Sequence, residues 1–241
     1  MDIGGALGFV FEDERWVAKL ALGSLILLIP IFGVFAMIGY LIGVIRNVMN
    51  GLPRPLPEWD DLGQKFVDGL LVWVAMLIYS LPMLILICPV VLVWFLPLLG
   101  GEQDELVRAL SGLSMAVAVG VGCLAVLYSL LLAMVTPPVY LQYAGHGSLG
   151  ACLRIGDVFR FAFRNLGSIV LFWVVYWVAS LAVSLVFGLI GAVVAWIPCV
   201  GWVISMMMVL AWLPVAVWLM AFQGHLIGQI GQSAGLPTPV S

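Results

Sequence analysis

From Asn165 the chain reads NLGSIVLFWVVYWVASLAVSLVFGLIGAVVAWIPCVGWVISMMMVLAWLPVAVWLMAF, and it continues to Ser241 as 77 residues without a single Asp, Glu, Lys or Arg. Three earlier stretches, Leu20–Ile45, Gly69–Gly101 and Ala109–Leu153, are equally free of those four residues. A soluble domain of 241 residues cannot bury so much apolar chain, whereas a bilayer solvates it. The fold class that follows is all-α: a polytopic transmembrane helical protein with interfacial amphipathic helices and a short N-terminal helical hairpin. Continuous rather than alternating apolarity excludes a β-barrel.

Composition agrees. Hydrophobic residues make up 64% of the chain and charged residues 9%, so little surface is built for water. A net charge of −3 without a basic patch excludes a nucleic-acid partner. Cys88, Cys123, Cys152 and Cys199 are scattered with no CxxC pair, the pattern of structural thiols rather than of a metal site or a disulfide framework. The N-terminus lacks the basic region of a signal peptide and carries Glu12-Asp13-Glu14 before the first apolar helix. Insertion through that helix into a cytoplasmic-type membrane is expected.

About 20 helical residues span a hydrocarbon core of about 30 Å. Gly69–Leu99 and Leu110–Tyr143 therefore hold one long span each, separated by Gly100–Glu105. Pro82, Pro89 and Pro97 are expected to bend or end the first, and Pro137-Pro138 the second. Val170–Phe222 requires two spans, with the break at Ile197-Pro198-Cys199-Val200-Gly201. Trp16–Val48 fits one tilted crossing or a short hairpin. Its centre, Ile29-Pro30-Ile31-Phe32-Gly33, repeats the Ile-Pro-x-x-Gly pattern of that break, which points to a hairpin dipping into the membrane. A single crossing divides Lys and Arg three against six. A hairpin places eight of the nine on one side and leaves Arg108 opposite, which the positive-inside rule prefers, with both termini cytoplasmic.

Three interfacial helices are expected, at Ile3–Phe11, Leu56–Asp68 and Leu149–Leu166. In the last, Cys152, Ile155, Phe159, Ala162, Phe163 and Leu166 share one face at helical spacing, with Arg154, Asp157, Arg164 and Asn165 opposite. The chain is thus a single membrane domain over 1–241. Residues 1–48 form an interfacial segment plus hairpin or span; 52–143 and 148–230 each form an interfacial helix plus two spans.

The run from Gly39 through Arg46-Asn47 to Gly51, followed by Leu52-Pro53-Arg54-Pro55-Leu56-Pro57-Glu58-Trp59-Asp60-Asp61, resembles a family of prokaryotic multi-pass membrane proteins catalogued as domain of unknown function 4013. Phe66-Val67-Asp68-Gly69, Phe11-Glu12-Asp13 with Trp16, and the later Gly-His pairs fit it as well. The resemblance covers most of the chain. It implies a membrane fold and a prokaryotic origin, and it carries no catalytic residues.

The hairpin topology gathers the polar residues on the cytoplasmic side. There Glu12, Asp13, Arg46, Asn47, Glu58, Trp59, Asp60, Asp61, His146, Arg154, Arg164 and His225 form a candidate polar interface, suited to lipid headgroups or a partner subunit. Glu12–Glu14 and Glu58–Asp61 read first as solvated helix caps, paired with Arg15, Arg46 or Arg54; a divalent cation or acid/base work is the alternative. The histidines follow glycines at the ends of apolar segments, as Gly145-His146 and Gly224-His225. Capping of helix-end carbonyls is the plain reading. Axial ligation of haem or a chlorophyll-type pigment is the sharper one, but no CxxCH or second matched ligand supports it. No catalytic constellation and no metal motif is present.

Three function classes remain: a membrane scaffold or accessory subunit, a secondary transporter for a neutral or apolar solute, and a lipid-facing enzyme. Pro/Gly-broken helices suit the transporter. The lack of an ionisable residue deep in the long spans argues against an ion-coupled one. The scaffold is the leading expectation, with membrane lipids and a second copy or another membrane protein as partners.

Overall fold

In a computed structural model, residues 1–95, 104–194, 196 and 200–237 are described, and they form nine helices and no strand. The order is α1 (Ile3–Gly8), α2 (Trp16–Leu27), α3 (Phe32–Met49), α4 (Leu62–Trp94), α5 (Asp104–His146), α6 (Leu149–Cys152), α7 (Ile155–Arg164), α8 (Leu166–Val194) and α9 (Val200–Ser233). Five stretches are long and apolar enough to cross a membrane: Phe32–Met49, Leu62–Cys88, Val107–His146, Leu166–Val194 and Met206–Ser233. The chain is an all-α polytopic membrane protein.

The helices α2 and α3 form the hairpin expected around Pro30. Its turn closes on itself: Phe32 N–H donates to Pro30 O at 2.7 Å around Ile31, whose φ of 65° and ψ of −61° define a positive-φ γ-turn. That conformation is strained for a β-branched residue. Pro30 removes one donor, and Ile29 and Gly33 N–H donate to Ile26 O and Ile29 O. Such closure suits a turn surrounded by lipid, which offers backbone groups no partners. A Cβ on Gly33 would overlap the Ile26 carbonyl, so this glycine lets α3 start directly against the end of α2.

The hairpin is much shorter than its neighbours. The α2 arm, 12 residues, measures about 18 Å and cannot cross the core alone. Leu28, at its end, lies level with Leu210 of α9, which begins at Val200, about 15 Å further on. Phe35, just past the turn, touches Trp73 of α4, which runs on to Trp94, about 30 Å away. The turn therefore ends part-way along the bundle while the α4–α5 and α8–α9 pairs project well beyond it.

Helix α3 is the centre of the molecule, with 61% of its most apolar window buried against 0% for α5 and 11% for α8. Glycines permit this close approach. A Cβ on Gly39 would overlap the Lys65 carbonyl of α4, and one on Gly69 the Phe35 carbonyl of α3. On the other side, Gly224 and Gly228 of α9 accept Val44 and Val48 of α3 in the same way. Helix α5 continues through Pro137 and Pro138. Pro137 frees the carbonyl of Ala133 one turn back, and the indole N–H of Trp173 on α8 takes it at 2.8 Å.

Several expectations change. No separate interfacial helix occupies Leu56–Asp68: 52–60 is an irregular strap, and α4 starts at Leu62. Asp61, at φ 47°, sets that start, its carboxylate accepting Gln64 N–H at 3.4 Å. Helix α4 runs on past Pro82 and Pro89 and α5 past Pro137-Pro138, so of the two expected outcomes, bending or ending, ending does not occur. The expected single helix Leu149–Leu166 is split at Leu153–Arg154 into α6 and α7. Its buried face keeps only part of the expected one. Cys152, Val158 and Ala162 face the core, whereas Ile155 and Phe163 are outward. Pro97, most of the Gly100–Glu105 loop and Ile197–Cys199 lie outside the described residues.

Candidate functional site

Two polar networks and one stapled histidine organise the end of the bundle where α3, α5 and α9 finish. The first centres on Lys19, which is 5% exposed on α2. Its ammonium donates to Asp13 Oδ2 at 2.7 Å and Leu56 O at 2.9 Å and pairs ionically with Glu58 Oε1 at 3.1 Å. A buried ammonium is tolerable only when satisfied in this way. Burial alone would raise the Asp13 carboxyl. Lys19 and the Arg15 backbone N–H outweigh it, with help from Arg54, and hold the group below its ordinary 3.8.

The same cluster fastens the strap 52–60. Trp59 Nε1–H donates to Lys19 O at 2.7 Å, and its ring stacks on buried Tyr40 with centroids 4.2 Å apart. Asn47 donates to Pro55 O at 2.9 Å. Outside the cluster, Arg54 pairs with Glu14 at 2.9 Å, and Lys65 with Asp60 at 3.3 Å.

The second network joins three helices around Asp68, which is 4% exposed. Arg46 of α3 donates to Asp68 Oδ2 at 2.7 Å and to Ala144 O of α5 at 3.3 Å. Asp68 Oδ1 accepts from Tyr143 OH at 3.0 Å and Gln64 Nε2 at 2.8 Å. The guanidinium also lies 5.7 Å from the Tyr143 ring centre.

His225 stacks on Phe9 at 4.4 Å, and its Nδ1 lies 3.0 Å from Gln229 Nε2. Gln229 in turn exchanges two hydrogen bonds with the Asp2 backbone, at 2.7 and 2.9 Å. This contact holds α1 on α9 and puts the first residues beside the end of the last helix. His146 is the exposed last residue of α5, its Nδ1 3.1 Å from Gln142 O, the arrangement of a helix-end cap. Arg154 and Arg164 flank α7 and are exposed; Arg160 pairs with Asp157 at 3.5 Å.

The twelve sequence-derived candidates thus divide. Asp13, Glu58 and Trp59 meet around Lys19, and Arg46 meets Asp68. Asn47 ties down the strap, Asp61 caps α4, and Asp60 sits on the surface. Glu12 and His225 border a polar cavity described below, while His146, Arg154 and Arg164 are solitary at the same end. Lys19, Asp68 and Tyr143 were not among the candidates. Asp68 had one signal: it is the last charge before a 33-residue charge-free run, one turn after Gln64. Among the described residues, no group of three His, Cys, Asp or Glu side chains could hold a metal ion. Burial pushes the Cys152 thiol up to about 12, leaving it a poor nucleophile.

A family model described as protein of unknown function (DUF4013) matches residues 22–194. No curated protein and no solved structure matches the chain.

Proposed function

We propose, from the premise that this chain belongs to the DUF4013 family, that it is a non-catalytic scaffold or accessory subunit of a prokaryotic cytoplasmic membrane. It works by holding a second copy or another membrane protein against its projecting helical pairs. The observation that carries this reading is the contrast between the enclosed α3 and the open α5, whose apolar window has none of its residues buried. Gly112, Ala116 and Gly120 fall one turn apart on the outward face of α5, with nothing within 4 Å of a Cβ on either glycine. Small residues so spaced permit close helix approach in lipid, where packing rather than the hydrophobic effect drives association. Gly39, Gly69, Gly224 and Gly228 are already used internally; Gly112, Gly120 and Gly122 of α5 are available.

The polar networks support the same reading. Lys19, Asp13, Arg46 and Asp68 spend their hydrogen-bonding capacity on one another, on backbone and on neighbouring side chains, as members of a clamp do. Orientation follows from charge: eight of the nine Lys and Arg residues flank the end carrying both networks, and Arg108 lies near the start of α5 at the other end. The positive-inside rule favours that end as the cytoplasmic one.

Crosslinking tests this reading, because Cys123 is exposed on α5 one turn after Gly120. A bifunctional thiol reagent applied in membranes should capture a dimer or a specific partner through Cys123. Gly120→Leu should abolish the product without lowering the melting temperature. A monodisperse monomer in gentle detergent, with no crosslink in membranes, overturns the proposal.

One observation favours a second reading. A strained re-entrant turn part-way along a bundle is an element that carriers use at their substrate sites. A carrier for a neutral or apolar solute predicts solute-dependent flux into liposomes that empty vesicles lack and that Ile31→Gly alters.

A further inference from the structure

Two cavities of opposite character lie along α8 and α9, on either side of α1 and outside both polar networks. The polar one, about 620 Å³, is bordered by Asp2, Glu12, Ser168, His225, Gln229 and Gln232. The apolar one, about 440 Å³, is bordered by Ile3, Leu7, Val174, Val178, Trp218 and Phe222. It shares Ala182, Val183 and Trp218 with a further apolar space of about 530 Å³ that reaches Trp16, Val186 and Pro214. Both walls change character in the same direction. On α8, Ser168 precedes Val174, Val178, Ala182 and Val186. On α9, Gln229 and His225 give way to Phe222, Trp218 and Pro214. The short helix α1 lies between, with Gly5 and Phe9 on the polar side and Ile3 and Leu7 on the apolar side.

We propose that the two cavities together form a binding site for one glycerophospholipid with a primary ammonium headgroup, of the phosphatidylethanolamine type, drawn from the leaflet at the clamp end. From Gln229 to Pro214 the site extends about 22 Å along α9, enough for a headgroup and the roughly 15 Å of chain that half a hydrocarbon core accommodates. The apolar trough lies at the depth of two membrane-spanning helices, so hydrocarbon is its natural occupant. The polar cavity selects the headgroup by charge. Asp2 and Glu12 supply carboxylates for an ammonium, and no Lys or Arg borders the cavity to attract a net anionic lipid. Gln232 and Ser168 supply neutral donors for the phosphate. This inference is independent of the scaffold reading: the trough lies between α1, α2, α8 and α9, away from the open face of α5.

The test is native mass spectrometry of the full chain, released from nanodiscs containing phosphatidylethanolamine, phosphatidylcholine and phosphatidylglycerol in equal amounts. The wild type should retain one phosphatidylethanolamine with a preference of roughly tenfold over phosphatidylglycerol. Glu12→Gln, on an exposed side chain, should erase the headgroup preference while a lipid is still retained. Ala182→Trp, which fills the trough, should remove the retained lipid altogether. Equal retention of all three lipids by the wild type, or a preference for phosphatidylglycerol, overturns the proposal. So does a headgroup preference unchanged in Glu12→Gln, which holds even if Ala182→Trp fails to fold. A copurifying polypeptide or a second copy lost on Ala182→Trp, with no lipid retained by the wild type, assigns the trough to protein and also overturns it.

Discussion

Arg46 and Asp68 meet at 2.7 Å where α3 and α4 cross, and the remaining capacity of the carboxylate is taken by Tyr143 and Gln64. Removing one partner of such a buried pair strands the other, at a cost of about 3–5 kcal/mol. Asp68→Ala and Arg46→Ala should each lower the thermal midpoint of the detergent-solubilised protein by several degrees. The double variant should fall by less than the sum, because the second substitution removes the stranded charge. Additive losses would mean that the two groups do not act as a pair.

Acid should release the strap before it releases the helices. The Asp13 carboxyl is held below its ordinary 3.8, so its stabilising contribution is complete above that value and is lost as pH falls through the lower folded value. Glu58, Arg15 and Arg54 share the cluster and set its background. In wild type the fluorescence of Trp59, which is bonded to Lys19 O and stacked on Tyr40, should change on acidification in that range. Asp13→Asn should be less stable at neutral pH and should lose the acid-dependent part of the change. An unaltered acid limb would detach Asp13 from the effect.

Gly39 and Gly69 should tolerate no side chain, since each stands against a carbonyl of the facing helix. Gly39→Ala should destabilise by about 1–3 kcal/mol or more, the usual range for overpacking. Gly122→Ala, on open α5 surface, should change stability little. Denaturant or thermal unfolding in detergent measures both. Similar values would show that α3 and α4 separate without cost.

Trp173→Phe keeps an aromatic ring but loses the N–H that reaches Ala133 O. The carbonyl freed by Pro137 would then face the bilayer interior unpartnered, costing about 1–3 kcal/mol. Pro137→Ala restores the helical donor and should rescue Trp173→Phe in the same unfolding assay. Failure of rescue would separate the indole from the proline.

Cysteine labelling from each side of sealed vesicles reports the path of the chain. Glu12→Cys and Glu58→Cys should react with an impermeant maleimide from the same side, in a background without native cysteines. Ile31→Cys should react from neither side. Reaction of Glu12→Cys and Glu58→Cys from opposite sides would make α2 and α3 a single crossing.

The hairpin was legible because Ile29-Pro30-Ile31-Phe32-Gly33 combines a lost donor with a glycine, and because a turn there leaves eight of the nine Lys and Arg residues on one side. The long spans were legible for the simpler reason that lipid demands uninterrupted apolar chain. The clamp was not. Lys19 reads as one more basic residue near a membrane boundary, and its burial depends on Leu56 O, 37 positions away in the chain. Asp68 meets Tyr143 across 75 positions. In α7 the hydrophobic pattern offered two adjacent apolar stripes, and helical spacing alone gave no reason to bury Val158 rather than Ile155 and Phe163. The choice is made by α5, against which α7 lies.

The central position of α3 also dictates an order of assembly. One of its walls, α4, follows it immediately, but the other, α9, begins at Val200, 151 residues after Met49. At synthesis rates of about 5–20 residues per second, α3 waits about 8–30 s with its glycine-matched flank uncovered. The α2 arm, too short to cross alone, spends that interval without the helix it finally lies against. The newborn hairpin therefore needs shelter from the insertion machinery until the last helix emerges, and only then does the bundle acquire its middle.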